Sequence, residues 1–310
     1  MIAWIYGLLL LIHPINQPDS LTIESQGENV MNINRTDFSI PIPGTPFVDS
    51  AKLKEFLEDL DKKTYKAPVN AYINESGKVI EGQLGSKLYR KAFTDLFYTY
   101  FYKTSASTIE IPMLPVYPRV DQDLLLQIRV KQIGQYVTYF NRNNQSRSHN
   151  ISLAAEAINN YVVFPGETFS FNRIVGKRTK ERGYLRAPVI VRGELSEDIG
   201  GGICQVSSTL FNAADRAGVK MVERFSHSKR VPYVPPGRDA TVSWYGPDFS
   251  FKNVYSFPLL IRAKVLGGQM SIRIFSSDEI DYEPRPVPGA SKMLPQEIPL
   301  DANADLRMLD

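Results

Sequence analysis

The sequence predicts an α+β protein whose sheets concentrate in the second half. Two observations predict this. Apolar residues recur at helical spacing in only a few segments, as at Leu53, Phe56, Leu57 and Leu60. Short β-rich runs with turn punctuation fill residues 219–277. The chain has 310 residues, 43% of them hydrophobic, with 16 Tyr and 16 Phe, enough for one large or two modest domains.

Residues 1–15 open with an uninterrupted apolar run at 2–12, the length of a signal-peptide core and too short to span a bilayer. It reads as a weak signal or anchor-like segment, with no preceding Lys or Arg and no A-x-A site after it. Residues 16–46 are polar and turn-rich, with a short strand-like piece at 38–42. Residues 48–118 form a small helix–hairpin–helix module. Its first helix has Ser50 available as a cap, "NESG" turns a hairpin, and the second helix begins near Ser86 with Leu88, Ala92, Leu96 and Tyr100 on one stripe. "STIEIPMLPVYP" reads as an extended edge strand, because its prolines cannot donate to a ladder.

A linking stretch leads to a sheet-rich domain over residues 130–277. "ISLAAEAINNY" reads as a helix, "VVFPGETFSFNRIVG" as extended chain and "APVIVRGEL" as a strand. "CQVSSTLFNAADRAG" is a helix ended by Gly218, and "VKMVERFSHS", "DATVSWY", "FSFKNVYSFPLLIRAKVLGG" and "QMSIRIFSS" are strands. Residues 278–310 are Pro-rich and acidic-leaning and read as a disordered tail.

Net charge is +3, which does not call for nucleic acid. One Cys and three His, with no HExxH, CxxC or Walker-type loop, leave no expected metal site and no nucleotide cofactor. A single cysteine also cannot close an intramolecular disulfide. That cysteine, Cys204, follows Gly200, Gly201 and Gly202 at the start of a helix. Free amides and the helix dipole there stabilise a thiolate, and amides over Gly202, Ile203 and Gln205 would cradle an oxyanion. The alternative is a packed cysteine in a tight helix start.

A nucleophilic cysteine needs a base. His227, in "ERFSHSKR", is the best placed; His149 precedes a helix and His13 lies in the apolar N-terminal run. Asp239 and Asp248 are the carboxylates available to orient the imidazole, or are simply turn residues. "KRTKERGYLR" concentrates Lys177, Arg178, Lys180, Arg182 and Arg186, either a solvated loop or a source of carboxylate contacts. Arg182, Arg238 and Ser207 are the substrate-binding candidates.

The blocks "NISLAAEAIN", "VVFPGETFSFNRIVGKRTKERGY", "APVIVRGEL", "GGGICQVSSTLFNAADRAG", "VERFSHS" and "YVPPGRDATV" resemble, in order, the VanW domain. The preceding module resembles the peptidoglycan-binding domain that often accompanies it. The resemblance implies a cell-wall maintenance factor of the envelope, located outside the cytoplasm in the wall or on the outer membrane face. Some members are regarded as cysteine-dependent L,D-transpeptidases, and "GGGICQVSS" then puts the nucleophile at Cys204. The expected partners are peptidoglycan stem peptides, with membrane contact only through the N-terminal segment and no cofactor. A non-catalytic wall-binding scaffold, accessory to glycopeptide resistance, is the alternative.

Overall fold

The computed structural model describes residues 20–40, 42, 46–102, 108–191 and 194–293. The signal-like segment 1–15 lies outside them. The architecture is α+β, with six α-helices and several small sheets among the described residues. The chain divides into two compact units, one of residues 1–70 and 82–119 and one of 71–81 and 120–310.

The first unit begins earlier than the sequence reading suggests. "SLTIES" alternates apolar and polar, so Ser20–Ser25 forms a strand with Leu21 and Ile23 fully buried. It runs antiparallel to Glu28–Asn34 through a turn in which Gln26 and Gly27 both take positive φ, and parallel to Thr108–Glu110. The helix Ser50–Thr64 is capped by Asp49 rather than Ser50. The Asp49 carboxylate accepts from the Ala51 and Lys52 amides. Residues expected to start the second helix form a strand, Gly85–Leu88, paired with Met113–Val116. The helix itself is Arg90–Tyr102. It buries Phe93, Phe97, Tyr100 and Phe101; of the expected stripe Leu88 and Tyr100 are buried, while Leu96 is exposed, because Phe93, Phe97 and Phe101 fill the interior in its place.

The "NESG" hairpin, read with the first module, belongs instead to the second unit. Its strand Tyr72–Ile73 carries Ile73, buried with Ala71, Leu125, Ile128, Val162 and Leu260. The second unit is built on a four-stranded antiparallel sheet ordered Lys131–Tyr139, Gln269–Ser276, Leu259–Leu266 and Tyr161–Val163. The segment that looked like a link therefore supplies an edge strand. The helices Gln145–Ile158 and Ile203–Arg216 join this sheet in one apolar core that includes Ile133, Tyr136, Ile151, Ala154, Val206, Leu210 and Ile272. A smaller sheet pairs Ser250–Lys252 with Thr168–Ser170 and Lys220–Glu223.

Gly134 lets the Cys204 helix sit close to its strand: a Cβ there would come 2.3 Å from the Ala213 carbonyl oxygen and 2.9 Å from Ala217 Cβ. Two expectations change here. "DATVSWY" is irregular apart from a single bridge between Phe225 and Thr241. Residues 278–293, expected to be disordered tail, run without helix or strand but are anchored. Ile280 and Val287 are buried, and Arg285 pairs with Asp215 at 3.0 Å. Residues 294–310 of that tail lie outside the described residues.

Candidate active site

The hairpin of Arg186–Val191 and Glu194–Ile199 delivers the chain to the glycine turn. Gly200 (φ 89°) and Gly202 (φ 106°) take left-handed conformations that L-residues resist. A Cβ on Gly202 would also press on Arg147 Cγ and Ile151 Cγ1 at 3.0 and 3.1 Å. The turn starts the helix Ile203–Arg216 abruptly, and Cys204, half-buried, sits in its first turn.

One face of this helix docks the loop that holds the other site residues. Cys204, Ser208 and Asn212 recur every fourth residue, so they line one side. Asn212 Nδ2 donates to the Arg238 carbonyl at 2.7 Å. Ser208 Oγ accepts from the Ala240 amide at 2.9 Å, and Cys204 Sγ lies 3.5 Å from the Val242 carbonyl oxygen and 3.7 Å from Thr241 Oγ1. The neighbouring face is equally polar and equally satisfied. Gln205 Nε2 donates to Thr138 Oγ1 at 3.0 Å, its Oε1 accepts from Arg147 Nη2 at 2.8 Å, and Thr209 meets Thr138 at 2.8 Å. Every one of these buried groups has a partner, as burial demands.

The docked loop presents Asp239, whose Oδ2 accepts from the His227 backbone amide at 2.6 Å and faces His227 Nδ1 at 2.7 Å. The two side chains are only 10% and 7% exposed. A carboxylate accepts only, so His227 Nδ1 carries the proton and Nε2 is left for other work. The His227 ring is the neighbour of the Cys204 thiol, and each changes the other's affinity for a proton. Burial pushes the thiol up, but the hydrogen bond and charge of His227 outweigh it, and the thiol titrates below its ordinary value. Burial pushes the imidazole down, Cys204 and Asp239 push it up, and it ends above its ordinary value. Asp239 is raised by burial and lowered further by the two His227 contacts, so it stays ionised. The arrangement favours a thiolate–imidazolium pair oriented by a carboxylate.

The structure thus brings Cys204, His227 and Asp239 together. Asp248, the other carboxylate considered, is committed elsewhere: it accepts from Ser170 Oγ at 2.5 Å and from the Asn172 and Phe249 amides at 2.8 and 2.7 Å. His149 meets the Gly183 carbonyl at 2.9 Å. The remaining candidates need correction. The Ile203 amide donates to the Gly200 carbonyl and the Gln205 amide to the Gly202 carbonyl, at 3.3 and 3.0 Å, so neither is free for an oxyanion. Gly202 acts as the left-handed hinge. The Cys204 amide is one of the first four of the helix, which helix geometry leaves without an intrahelical acceptor.

Ser207 is fully buried and donates to the Ala240 carbonyl at 2.6 Å, so it braces the loop and does not face a substrate. Arg238 is held by Asn212 and Asp215, both at 2.7 Å, with its guanidinium over the Phe211 ring. Arg182 folds back on its own loop, donating to the Lys177 carbonyl at 3.1 Å.

Sequence reasoning passed over Tyr233 and named Arg178 only as one of a basic stretch, without choosing it. Tyr233, buried beside the site under the Arg147 guanidinium, has its phenol pushed up by burial and by the Cys204 charge, and so stays protonated. Arg178 has its guanidinium near Cys204 and over the Phe171 ring. Among the described residues no group of three or more His, Cys, Asp or Glu could hold a metal ion, and no helix is long and apolar enough to cross a membrane.

A small α+β domain with a cysteine–histidine–aspartate constellation at a glycine-led helix start defines the class, and the comparisons supply the family. The family described as "VanW like protein" matches residues 146–275, the part that holds this constellation. The chain belongs to this VanW-like family. It is 57% identical over 294 residues to the uncharacterized protein YoaR of Bacillus subtilis (strain 168), covering 95% of this chain and 97% of that one. It is 32% identical over 114 residues to the vancomycin B-type resistance protein VanW of Enterococcus faecalis (strain ATCC 700802 / V583), covering 35% of this chain and 42% of that protein. No solved structure matches.

Proposed function

We propose that the protein is an exported, cysteine-dependent acyltransferase of the cell envelope that exchanges peptide bonds in peptidoglycan stem peptides, in the manner of an L,D-transpeptidase. One observation carries this reading: His227, bonded to Asp239 on one nitrogen, neighbours the Cys204 thiol at a helix start. The apolar run at residues 2–12 supports export, and kinship with a protein named for vancomycin resistance supports an envelope role.

In this mechanism the Cys204 thiolate attacks the carbonyl carbon of the scissile peptide bond. The oxygen becomes an oxyanion, which the Cys204 amide and the helix dipole stabilise. The C–N bond breaks, the His227 imidazolium gives its proton to the departing amine, and the acyl group stays on sulfur as a thioester. An acceptor amine from a second stem then attacks the thioester carbonyl and loses a proton to His227. The C–S bond breaks, which restores both the thiolate and the imidazolium. Asp239 keeps the ring in one tautomer throughout.

Incubation of the purified protein with disaccharide-tetrapeptide fragments, read by mass spectrometry, tests the reading. It predicts release of the terminal residue and formation of a cross-linked dimer, both lost in Cys204→Ala. Fragments bound but returned unchanged, with no thioester on the protein, would make it a wall-binding scaffold instead.

A further inference from the structure

Arg178 lies near the site, and nothing described so far uses it. Its stem packs on the glycine turn that leads into Cys204: a Cβ on Gly200 would lie 3.2 Å from both Arg178 Cβ and Cγ. Its guanidinium carbon is 5.8 Å from the centre of the Phe171 ring, which is itself fully buried in the same core that Cys204 borders. Both terminal nitrogens, Nη1 and Nη2, expose less than 1 Å² and make no hydrogen bond to a protein group. The charges that reach it most strongly are the Cys204 thiolate, Tyr184 and Asp248. Tyr184 stays a neutral phenol, raised by burial. Asp248 gives its oxygens to Ser170, Asn172 and Phe249.

A guanidinium end that is closed from water and unpaired is costly to keep, because its lost hydration is not replaced. The other arginines considered as substrate contacts show the usual solution: Arg238 is paired with Asp215, and Arg182 with a carbonyl of its own loop. Arg178 alone of the three has a planar two-nitrogen fork within reach of the Cys204 charge and no protein acceptor for its two terminal nitrogens. That fork matches a carboxylate, which would accept both N–H groups side by side.

We propose that Arg178 is the anion-binding residue of the Cys204 site and receives a substrate carboxylate. The peptide acted on would then carry a free carboxylate within a residue or so of the carbonyl that Cys204 attacks. This identity of the substrate rests on the acyl-transfer reading above, whereas the anion site itself does not.

Two alkylating reagents of nearly equal size test it on the intact protein. Iodoacetate carries a carboxylate and iodoacetamide does not, and both report only on Cys204, the single thiol. Their rate ratio cancels any change in how readily the thiol ionises. The wild type should favour iodoacetate relative to a small free thiol under the same conditions. Arg178→Met should lower that preference about tenfold or more, and Arg178→Lys, which keeps the charge and loses the fork, should fall between. Thermal unfolding of each variant checks that the fold is kept, and the wild-type ratio needs no variant at all. A wild-type ratio equal to that of the free thiol overturns the proposal. So does a ratio unchanged in both variants, even if both rates fall together, since Arg178 would then serve only the thiolate. A failed acyl-transfer reading shows as absence of a thioester with stem fragments and leaves this ratio unaffected.

Discussion

His227 owes its role to two bonds from one carboxylate oxygen. Asp239 Oδ2 holds both the backbone amide and the ring of His227, so it fixes where the ring sits as well as which nitrogen is protonated. His227→Ala should slow acylation of Cys204 by about 10²–10⁴-fold, the range of general acid–base help. Asp239→Asn leaves a side chain of the same shape that cannot anchor the ring as a charge. It should lower the rate by a smaller factor and leave substrate binding unchanged, which a split between kcat and KM would show. Ser207→Ala should act on stability alone, by about 1–3 kcal/mol, because its hydroxyl reaches only the Ala240 and Cys204 carbonyls. A changed KM in Ser207→Ala would contradict that assignment. With one cysteine and three histidines in the chain, the grouping of Cys204 with His227 was legible from chemistry and order alone. Arg178 was not, since nothing in "KRTKERGYLR" distinguishes it from Lys177 or Arg182; only the path of the loop buries one and exposes the other. The closed Ile203 and Gln205 amides were also illegible, because they depend on how tightly the Gly200–Gly202 turn winds.

At the scale of elements, the Cys204 helix works as a ruler. Its residues at 204, 208 and 212 measure out the loop from Arg238 to Val242, which then presents Asp239 to His227. Ser208→Ala leaves the Ala240 amide buried without an acceptor. It should cost about 1–3 kcal/mol in urea unfolding and should also slow acylation, because the loop loses its central tie. Normal acylation in a destabilised Ser208→Ala would separate the loop from the chemistry. The helix was legible from its apolar spacing and from Gly218 at its end. The ruler was not: "VSSTLFN" looks like the polar face of a surface helix, and only the sheet on one side and the loop on the other make Ser208, Thr209 and Asn212 interior. The second helix of the first unit shows the opposite error. Its aromatics lie on more than one face, and packing chose Phe93 and Phe97 over Leu96 of the expected stripe.

At the scale of the whole molecule, the chain closes each unit with segments distant in sequence. The hairpin at residues 72–80 joins the second unit, as does the chain beyond the last strand. Local pattern carries no signal for such long-range pairing, and the Pro-rich composition of residues 278–293 conceals the anchoring of Ile280, Arg285 and Val287. Truncation after Ser277 removes two buried apolar side chains, worth about 1.5–3 kcal/mol each, and the Arg285 bond to Asp215. The melting temperature should fall by roughly 10 °C. No change in melting would mean that this segment is not bound in solution.

The account depends most on the claim that Cys204 is a thiolate held by the His227–Asp239 pair, and the pH profile of its alkylation by iodoacetamide tests that most directly. The thiol lies below its ordinary value and the imidazole above its own, so the ion pair occupies the window between the lowered thiol and the raised imidazole. The alkylation rate should therefore climb at a pH below the ordinary thiol value of about 8.5 and then level off. In His227→Ala the rise should move to higher pH, because burial is left to oppose the charge on sulfur. A native Cys204 that alkylates only above the ordinary thiol range, with the same profile in His227→Ala, would contradict the account.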